Sequence, residues 1–317
     1  MNRSEQKKRS PADLLSHAQG AMLGQLVGDA LGSIVEFMTA DEIRRLFPRG
    51  VTEMVASPVF HTLPGQPTDD SEMALALART IVARGEYNAE ATWTAYVRWH
   101  DSQPFDCGNT ISAAVGGIKN KTSQANGAMM RVSPIGIIGA RASVDNARWW
   151  ARLDAELTHP HPVCVEANSI YAAGIAAAIA NEMSPQDLYE FMAESATEPS
   201  LVDAIARAKN EAPRDYITQQ GWVLIALQNA LWQLLHAESV ETAITNTVQR
   251  GGDTDTNAAI CGALLGALHG LGAIPGRWVR PVLFCRPQAG APGVRHPRPE
   301  EYWPTDALDL AAKLIGA

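Results

Sequence analysis

Residues 249–270 read QRGGDTDTNAAICGALLGALHG, and this stretch joins a run of acids to a run of small residues. Asp253 and Asp255 stand two positions apart, and no Lys or Arg follows them within the stretch. Further along, glycine recurs every four residues, at Gly262, Gly266 and Gly270. In a helix that spacing leaves one face bare, so a neighbouring helix can approach closely. The stretch therefore predicts a tightly packed core helix whose acidic start needs a partner other than a nearby base.

The same glycine spacing occurs in residues 13–37, DLLSHAQGAMLGQLVGDALGSIVEF. Most segments between these two ends carry apolar residues three and four positions apart, and several begin after Ser, Asn or Pro, as helices do. Strand-like alternation is nearly absent. We therefore predict one all-α domain over residues 12–317, built of about a dozen helices, after a basic, disordered tail at residues 1–11. Residues 281–304 are rich in Pro and Gly and predict a surface loop before a final helix from about Thr305.

The composition limits the class of protein. The chain of 317 residues is 46% hydrophobic with a net charge of -8, which suits a globular domain and argues against a nucleic-acid surface. No apolar segment follows the basic N-terminus as it would in a signal peptide. The longest apolar run, YAAGIAAAIA at residues 171–180, is too short for a membrane span and predicts a core helix. Four scattered cysteines without paired spacing favour a reducing cytoplasm.

Acids cluster at three predicted helix starts. These starts hold Thr68, Asp69 and Asp70, then Asp106, and finally Asp253, Asp255 and Thr256. One such cluster alone is compatible with simple capping, because helix N-termini favour anions. Two clusters brought together in a core would repel each other strongly unless a multivalent cation lay between them. Carboxylate and hydroxyl oxygens suit Mg²⁺, Mn²⁺ or Ca²⁺ better than zinc.

Three known site types fit these residues poorly. An EF-hand loop starting at Asp253 needs Gly at its sixth place and Glu at its twelfth, where the chain has Ala258 and Leu264. A haloacid-dehalogenase-type phosphatase has its Asp-x-Asp pair after an apolar strand, whereas the polar ETAITNTVQRGG precedes the pair here. A zinc site in HPHPVC, residues 159–164, lacks a second ligand cluster. A helix entry with one functional histidine is the simpler interpretation.

Five segments, in order, resemble the ADP-ribosylglycohydrolases, including the dinitrogenase-reductase-activating glycohydrolase branch. They are GAMLGQLVGDALGSIVEF, GQPTDDSEMALALA, NGAMMRVSPIGI, THPHP and GGDTDTNAAICGALLGAL. The resemblance spans residues 19–281. It implies an all-α orthogonal bundle of one domain around a two-metal Mg²⁺ or Mn²⁺ centre. That agrees with the helices and the oxygen ligands predicted from the residues themselves.

The resemblance also implies roles for particular residues. The implied metal ligands are Thr68, Asp69, Asp70, Asp253, Asp255 and Thr256, the implied catalytic acids are Asp106 and Glu36, and the implied substrate-binding residues are Gly108, Asn126, Gly127 and His159. Plainer alternatives stay open for three of these, namely Glu36 as a solvated helix-end acid, Asp106 as a helix cap and His159 as a satisfied core histidine. We expect Arg131, in NGAMMR, to be a structural ion-pair partner.

The implied activity is metal-dependent hydrolysis that removes ADP-ribose from modified protein, with ADP-ribosyl-arginine as the expected linkage. Asp106 or Glu36 would activate the water or protonate the leaving group. Two alternatives remain: the same chemistry on another ADP-ribosylated substrate, and a stoichiometric binder with a cognate ADP-ribosyltransferase as its partner. Neither nucleic acid nor a membrane is an expected partner. The family commonly has an aromatic residue and a threonine where this chain has Pro67 and Ser71, so the leaving group is the least directly implied feature.

Overall fold

The computed structural model describes residues 7–317. Within that range the chain forms 15 α-helices, four short 3₁₀ turns and no β-sheet. The α-helices are α1 Pro11–Gly32, α2 Ala40–Leu46, α3 Asp69–Arg84, α4 Ala89–Asp101, α5 Asn109–Val115, α6 Ser133–Ala142, α7 Val144–Thr158, α8 Pro162–Ala180, α9 Pro185–Ala193, α10 Pro199–Ala208, α11 Val223–His236, α12 Val240–Val248, α13 Thr254–His269, α14 Gly276–Leu283 and α15 Ala307–Ile315. The all-α prediction is confirmed.

The two glycine-rich helices, α1 and α13, pack directly against each other. A Cβ added at Gly24 would lie 2.1 Å from the carbonyl oxygen of Gly262, and one added at Gly28 would lie 2.1 Å from that of Ala258. No side chain fits at such distances, so the backbones themselves are in contact. At Gly32 the approach is to the Cα of Asp255 itself, at 2.4 Å from an added Cβ. The bare helix faces predicted from the spacing therefore bring the acidic start of α13 against α1.

The helix α8 lies in the core. It is long and apolar enough to cross a membrane by length and composition, but 94% of its apolar window is buried inside the domain. It contains the run YAAGIAAAIA and extends N-terminally beyond it. Its Tyr171 hydroxyl donates to the carbonyl of Ile260 in α13 at 2.7 Å, which ties it to the α1–α13 pair. The core helix predicted here is confirmed.

Two sequence predictions need correction at the edges of the domain. Of the predicted tail, residues 1–6 lie outside the described residues. Disorder was the wrong prediction for residues 7–11, because Lys8 forms a β-bridge with Asn181, Arg9 donates from Nε to the carbonyl of Ala178, and Pro11 begins α1. In the predicted loop at residues 281–304, the first three residues complete α14, and the final helix begins two residues later than predicted.

Candidate metal and catalytic site

Asp29 of α1 holds the start of α3. Its carboxylate accepts hydrogen bonds from the backbone N–H groups of Thr68 and Ser71, each at 3.1 Å, and from the Thr68 hydroxyl at 2.9 Å. N–H groups at a helix start have no partner within their own helix. A side chain from α1 therefore caps α3, and the carboxylates of Asp69 and Asp70 remain free for other contacts.

The start of α13 converges on the same place. The Thr68 hydroxyl oxygen lies 3.2 Å from Asp70 Oδ2 and 3.5 Å from Asp255 Oδ2. The Thr256 hydroxyl oxygen lies 3.3 Å from Asp70 Oδ2. One carboxylate oxygen from each of Asp29, Asp70 and Asp255 lies within 4.8 Å of the other two, and all three residues are buried. The two clusters that were separate in the sequence thus form one group in the fold.

Capping does not account for these acids. The residues at the N-caps of α3, α5 and α13 are Thr68, Gly108 and Asp253, and none of the three helices has a hydrogen bond from its N-cap side chain. Asp106 is therefore not the N-cap residue of α5, and capping does not explain its position. Bonds from the N-cap side chains therefore do not explain why these acids are buried, and the hydrogen bond from the Thr256 N–H occupies only Oδ1 of Asp255.

The oxygen atoms of this group fit a hard divalent cation. Asp70 Oδ1 and Glu36 Oε2 are buried and have no hydrogen-bond partner among residues 7–317. Burial, and then the charge of Asp255, raises the pKa of Asp70 well above its usual range. Burial likewise raises the pKa of Asp29 to about 7. Unpartnered carboxylate oxygens that repel each other are stabilised by a cation that accepts oxygen ligands.

Glu36 and Asp106 form a second group with Asp255. One oxygen from each of these three carboxylates lies within 4.8 Å of the other two. Burial is the main cause that raises the pKa of Asp106 to about 6, and the charge of Asp253 adds to it. Burial, followed by the charge of Asp255, also raises the pKa of Glu36 far above its usual range. Glu36 is only 6% exposed, so the interpretation of it as a solvated helix-end acid is wrong.

Two loops bring the predicted substrate-binding residues to these acids. The Gly108 backbone N–H donates to Asp69 Oδ2 at 3.1 Å, which holds the segment after α4 against α3. The Asn126 side chain donates from Nδ2 to Asp253 Oδ2 at 2.6 Å. Burial, and then the charge of Asp106, raises the pKa of Asp69 well above its usual range. One acid at the start of α3 and one at the start of α13 are therefore each tied to a neighbouring loop.

His159 lies behind the Asn126 loop in a neutral form. A Cβ added at Gly127 would lie 3.0 Å from its ring carbon Cε1. Arg131 Nη2 donates to the Thr158 hydroxyl at 3.0 Å, and that hydroxyl lies 2.8 Å from His159 Nδ1. That hydroxyl therefore links the guanidinium of Arg131 to Nδ1 of the His159 ring. Burial, then the charge of Arg131, lowers the pKa of His159 to about 3.

Arg131 has the structural role expected from the sequence. Its Nε lies 3.0 Å from Asp154 Oδ2, and both side chains are fully buried. The Tyr96 hydroxyl donates to the other oxygen of Asp154 at 2.9 Å. This buried, hydrogen-bonded pair fixes the 3₁₀ turn that follows the Asn126 loop.

The structure brings all the predicted site residues to this cluster and its adjoining loops, while their individual roles stay predictions. Sequence reasoning missed Asp29, although it was visible as the only acid in the helical run from residue 14 to residue 35. A lone carboxylate within a long apolar helix signals a buried partner, because a buried charge without one is costly. It also missed the rings that border the site, described below.

Comparisons with known proteins agree with this geometry. A family model described as ADP-ribosylglycohydrolase matches residues 10–298. An ADP-ribosylarginine hydrolase of Pseudomonas putida is 28% identical over 87% of this chain and 77% of its own length. An ADP-ribosyl-[dinitrogen reductase] glycohydrolase of Rhodospirillum rubrum is 30% identical over 83% of this chain and 88% of its own. A solved structure named as an ADP-ribosylglycohydrolase-related protein complex matches with a TM-score of 0.78 and 27% identity, covering 96% of this chain and 99% of that one. This chain belongs to the ADP-ribosylglycohydrolase family and is a hydrolytic enzyme.

Proposed function

We propose that this enzyme removes ADP-ribose from arginine side chains of modified proteins. One observation carries the proposal: buried carboxylates from α1, α3 and α13 converge beside Glu36 and Asp106, and Asp70 Oδ1 and Glu36 Oε2 have no hydrogen-bond partner among residues 7–317. The names of the Pseudomonas and Rhodospirillum relatives, both ADP-ribosyl hydrolases, support a protein substrate and an arginine linkage.

Two divalent cations, Mg²⁺ or Mn²⁺, are the proposed cofactors. The residues that would hold them are Thr68, Asp69, Asp70, Asp253, Asp255 and Thr256, with Asp29 orienting the first three. When bound, such cations supply Lewis-acid chemistry and hold the ribose hydroxyls of the substrate. A pair of carboxylates from each of two helix starts matches the one or two carboxylates that usually bind a Mg²⁺ ion, whose other ligands are water or substrate oxygens.

The protein's own groups perform the proton transfers in this proposal. Asp106 lies at the edge of the cluster, half-buried, on a segment that also presents the Gly108 N–H. It takes a proton from the attacking water or gives one to the leaving nitrogen. Glu36 is buried on the other side of the same three-carboxylate group and shares that task. Asn126 and Gly127, with the buried His159 ring packed behind them, form the wall along which the rest of ADP-ribose binds.

A substrate panel tests this function. We expect the protein with Mg²⁺ or Mn²⁺ to release free ADP-ribose from an arginine-linked peptide over many turnovers, faster than from serine-linked peptide or modified nucleic acid. Excess chelator should abolish the release. Release from another linkage alone would reject arginine as the leaving group. Protection of a target at one equivalent without released ADP-ribose would instead indicate a stoichiometric binder with a transferase partner.

The proposed compartment is the cytoplasm. All four cysteines are free, and the Cys164 thiol donates weak hydrogen bonds to the backbone carbonyls of Ser123 and Ala125. Free, buried thiols are typical of proteins kept in a reducing environment, which supports this location.

A further inference from the structure

Four rings form a continuous row beside the carboxylates. The ring centroids of Phe37 and Phe60 are 6.4 Å apart, those of Phe60 and Phe105 are 5.7 Å apart, and those of Phe105 and His296 are 4.8 Å apart. We call Phe37, Phe60, Phe105 and His296 the aromatic row. Edge-to-face and tilted contacts at these distances stabilise each ring against its neighbours.

The row borders the acids proposed to act on the reacting bond. Phe37 directly follows Glu36, and Phe105 directly precedes Asp106. At the far end of the row, the side chain of Gln66 donates to the backbone carbonyl of His296 at 2.8 Å. Gln66 lies two positions before Thr68 in the chain. Two of the four ring residues are therefore direct chain neighbours of the acids in the second carboxylate group, whereas the Asn126 loop contacts the site through Asp253.

The backbone around the row is strained. Among residues 7–317, the non-glycine residues with positive φ are Phe37, His61 and Gln103, at 63°, 57° and 56°. Phe37 belongs to the row, His61 directly follows Phe60, and Gln103 lies two positions before Phe105. Such conformations cost about 1–3 kcal/mol each and persist where a fixed orientation is needed. One result is that Phe37 is held with 56% of its surface exposed.

A buried ion pair fixes the segments that carry the row. Arg298, two positions after His296, donates to Glu72 of α3 at 2.8 Å and from Nη1 to the carbonyl of Ser102 at 2.9 Å. Ser102 lies three positions before Phe105. Both charged side chains are 2% exposed. One arginine thus joins α3, the Phe105 segment and the His296 segment, so the row is preformed.

The phenylalanine rings of the row are exposed or partly exposed, and no arginine or lysine among residues 7–317 lies over them. Within residues 7–317, the arginines and lysines that lie over aromatic rings do so elsewhere, for example at Tyr96 and Trp278. Asp106, the partly exposed acid of the second carboxylate group, directly follows Phe105 and places a carboxylate next to these rings. Aromatic faces beside carboxylates are suited to a planar, delocalised cation.

We propose that the aromatic row is the leaving-group subsite and that it binds the guanidinium of the ADP-ribosylated arginine by stacking and cation–π contact. The inference rests on the proposed function and adds the residues that select its leaving group. It also accounts for Pro67: the aromatic residue that the family commonly has there is absent, and rings from four other segments form the row instead.

The test compares substitutions in the row with a matched substitution outside it. Phe60→Leu and Phe105→Leu remove a ring face and keep an apolar side chain, whereas Phe105→Tyr keeps the ring face. The control is Phe284→Leu, because Phe284 is an exposed phenylalanine under Arg286, outside the row. Each variant is assayed for kcat/KM on an arginine-linked peptide, for the inhibition constant of free ADP-ribose, and for melting temperature.

We expect each Leu variant in the row to lose about tenfold in kcat/KM on the arginine-linked peptide, as loss of one cation–π contact predicts. Phe284→Leu should stay near wild type, and Phe105→Tyr, which keeps the ring face, should lose less kcat/KM than Phe105→Leu. The inhibition constant of ADP-ribose, which carries no guanidinium, should change by less than about twofold in all of them.

Three results would overturn the inference. An equal weakening of ADP-ribose inhibition would mean that the row binds the nucleotide half. An unchanged kcat/KM in both Leu variants, with the wild type active, would reject the subsite while leaving the proposed function intact. A wild type that releases ADP-ribose from other linkages and not from arginine would reject the proposed function itself, and the guanidinium assignment with it.

Discussion

Asp29 is the single residue that makes the acidic cluster possible. By accepting the N–H groups of Thr68 and Ser71 from across the α1–α3 contact, it takes over the capping that the acids of α3 would otherwise supply. The oxygens of Asp70 are then left for other partners, and one of them has none among the described residues. The geometry of the cluster therefore depends on Asp29, whose carboxylate supports the start of α3 through these hydrogen bonds.

Substitutions at Asp255 and Asp106 should separate metal binding from proton transfer. Asp255 has oxygens in both three-carboxylate groups, so Asp255→Asn should weaken divalent-metal affinity and activity together. Asp106→Asn keeps the shape at the edge of the cluster. It should leave metal affinity nearly unchanged and lower kcat by about 10²- to 10⁴-fold, the usual contribution of a general acid or base. Calorimetric metal titration and steady-state kinetics measure the two effects.

The control for both is Asp203→Asn, which changes an exposed ion pair with Arg207 and should affect neither quantity. If Asp106→Asn were as fast as wild type while Glu36→Gln were inactive, the roles of the two acids would be reversed.

At the scale of helices, the contact of α1 with α13 positions the site. Gly28→Ala would place a methyl group 2.1 Å from the Ala258 carbonyl oxygen, and that backbone atom cannot rotate away. We expect the free energy of unfolding to fall by about 3 kcal/mol, the upper part of the range for overpacked cores. Because the helices must separate where Gly32 meets Asp255, divalent-metal affinity should fall as well.

Gly276→Ala is the matched control for this substitution. It begins α14, has no positive φ, and has no atom within 4 Å of an added Cβ. Its free energy of unfolding should change by less than about 0.5 kcal/mol in chemical denaturation. A Gly28→Ala variant as stable as Gly276→Ala would contradict the backbone contact.

Local spacing was enough to predict what lies within one helix. The bare faces of α1 and α13 and the acids at helix starts follow from periodicity, because neighbours three and four positions apart share a face. The aromatic row could not be predicted, since Phe37, Phe105 and His296 come from segments that only tertiary packing brings together. The docking of residues 7–11 was missed for the same reason: their partners lie near residue 180.

At the scale of the whole molecule, the buried carboxylates link proton and metal binding. Burial raises the pKa of Asp29 to about 7 and raises those of Asp69, Asp70 and Asp255 well above their usual values. In the unfolded chain, aspartates titrate with a pKa of about 3.9. The folded, metal-free protein therefore holds protons that the unfolded chain releases. The stability that these bound protons contribute to the folded protein is fully present below the pKa that the aspartates have in the unfolded chain. It is lost as the pH rises through their pKa in the folded protein.

Divalent cations compete with those protons, so their stabilising effect should grow as the pH rises. We expect the difference in melting temperature between protein in saturating Mn²⁺ and protein in chelator to be larger at about pH 8 than at about pH 6. In Asp255→Asn this pH dependence should be flatter, because one of the competing carboxylates is gone. A difference that stays constant or shrinks with rising pH would show that the metal does not bind at these carboxylates.

The central claim is that the carboxylates joined by α1, α3 and α13 form a divalent-metal centre. Anomalous diffraction from crystals grown with Mn²⁺ tests it most directly, because it locates the ions without assuming any activity. We predict two anomalous peaks enclosed by the side chains of α3 and α13, both weakened or lost in Asp255→Asn crystals. Saturating Mn²⁺ with no peak at these carboxylates, or with peaks only at surface acids, would contradict the account.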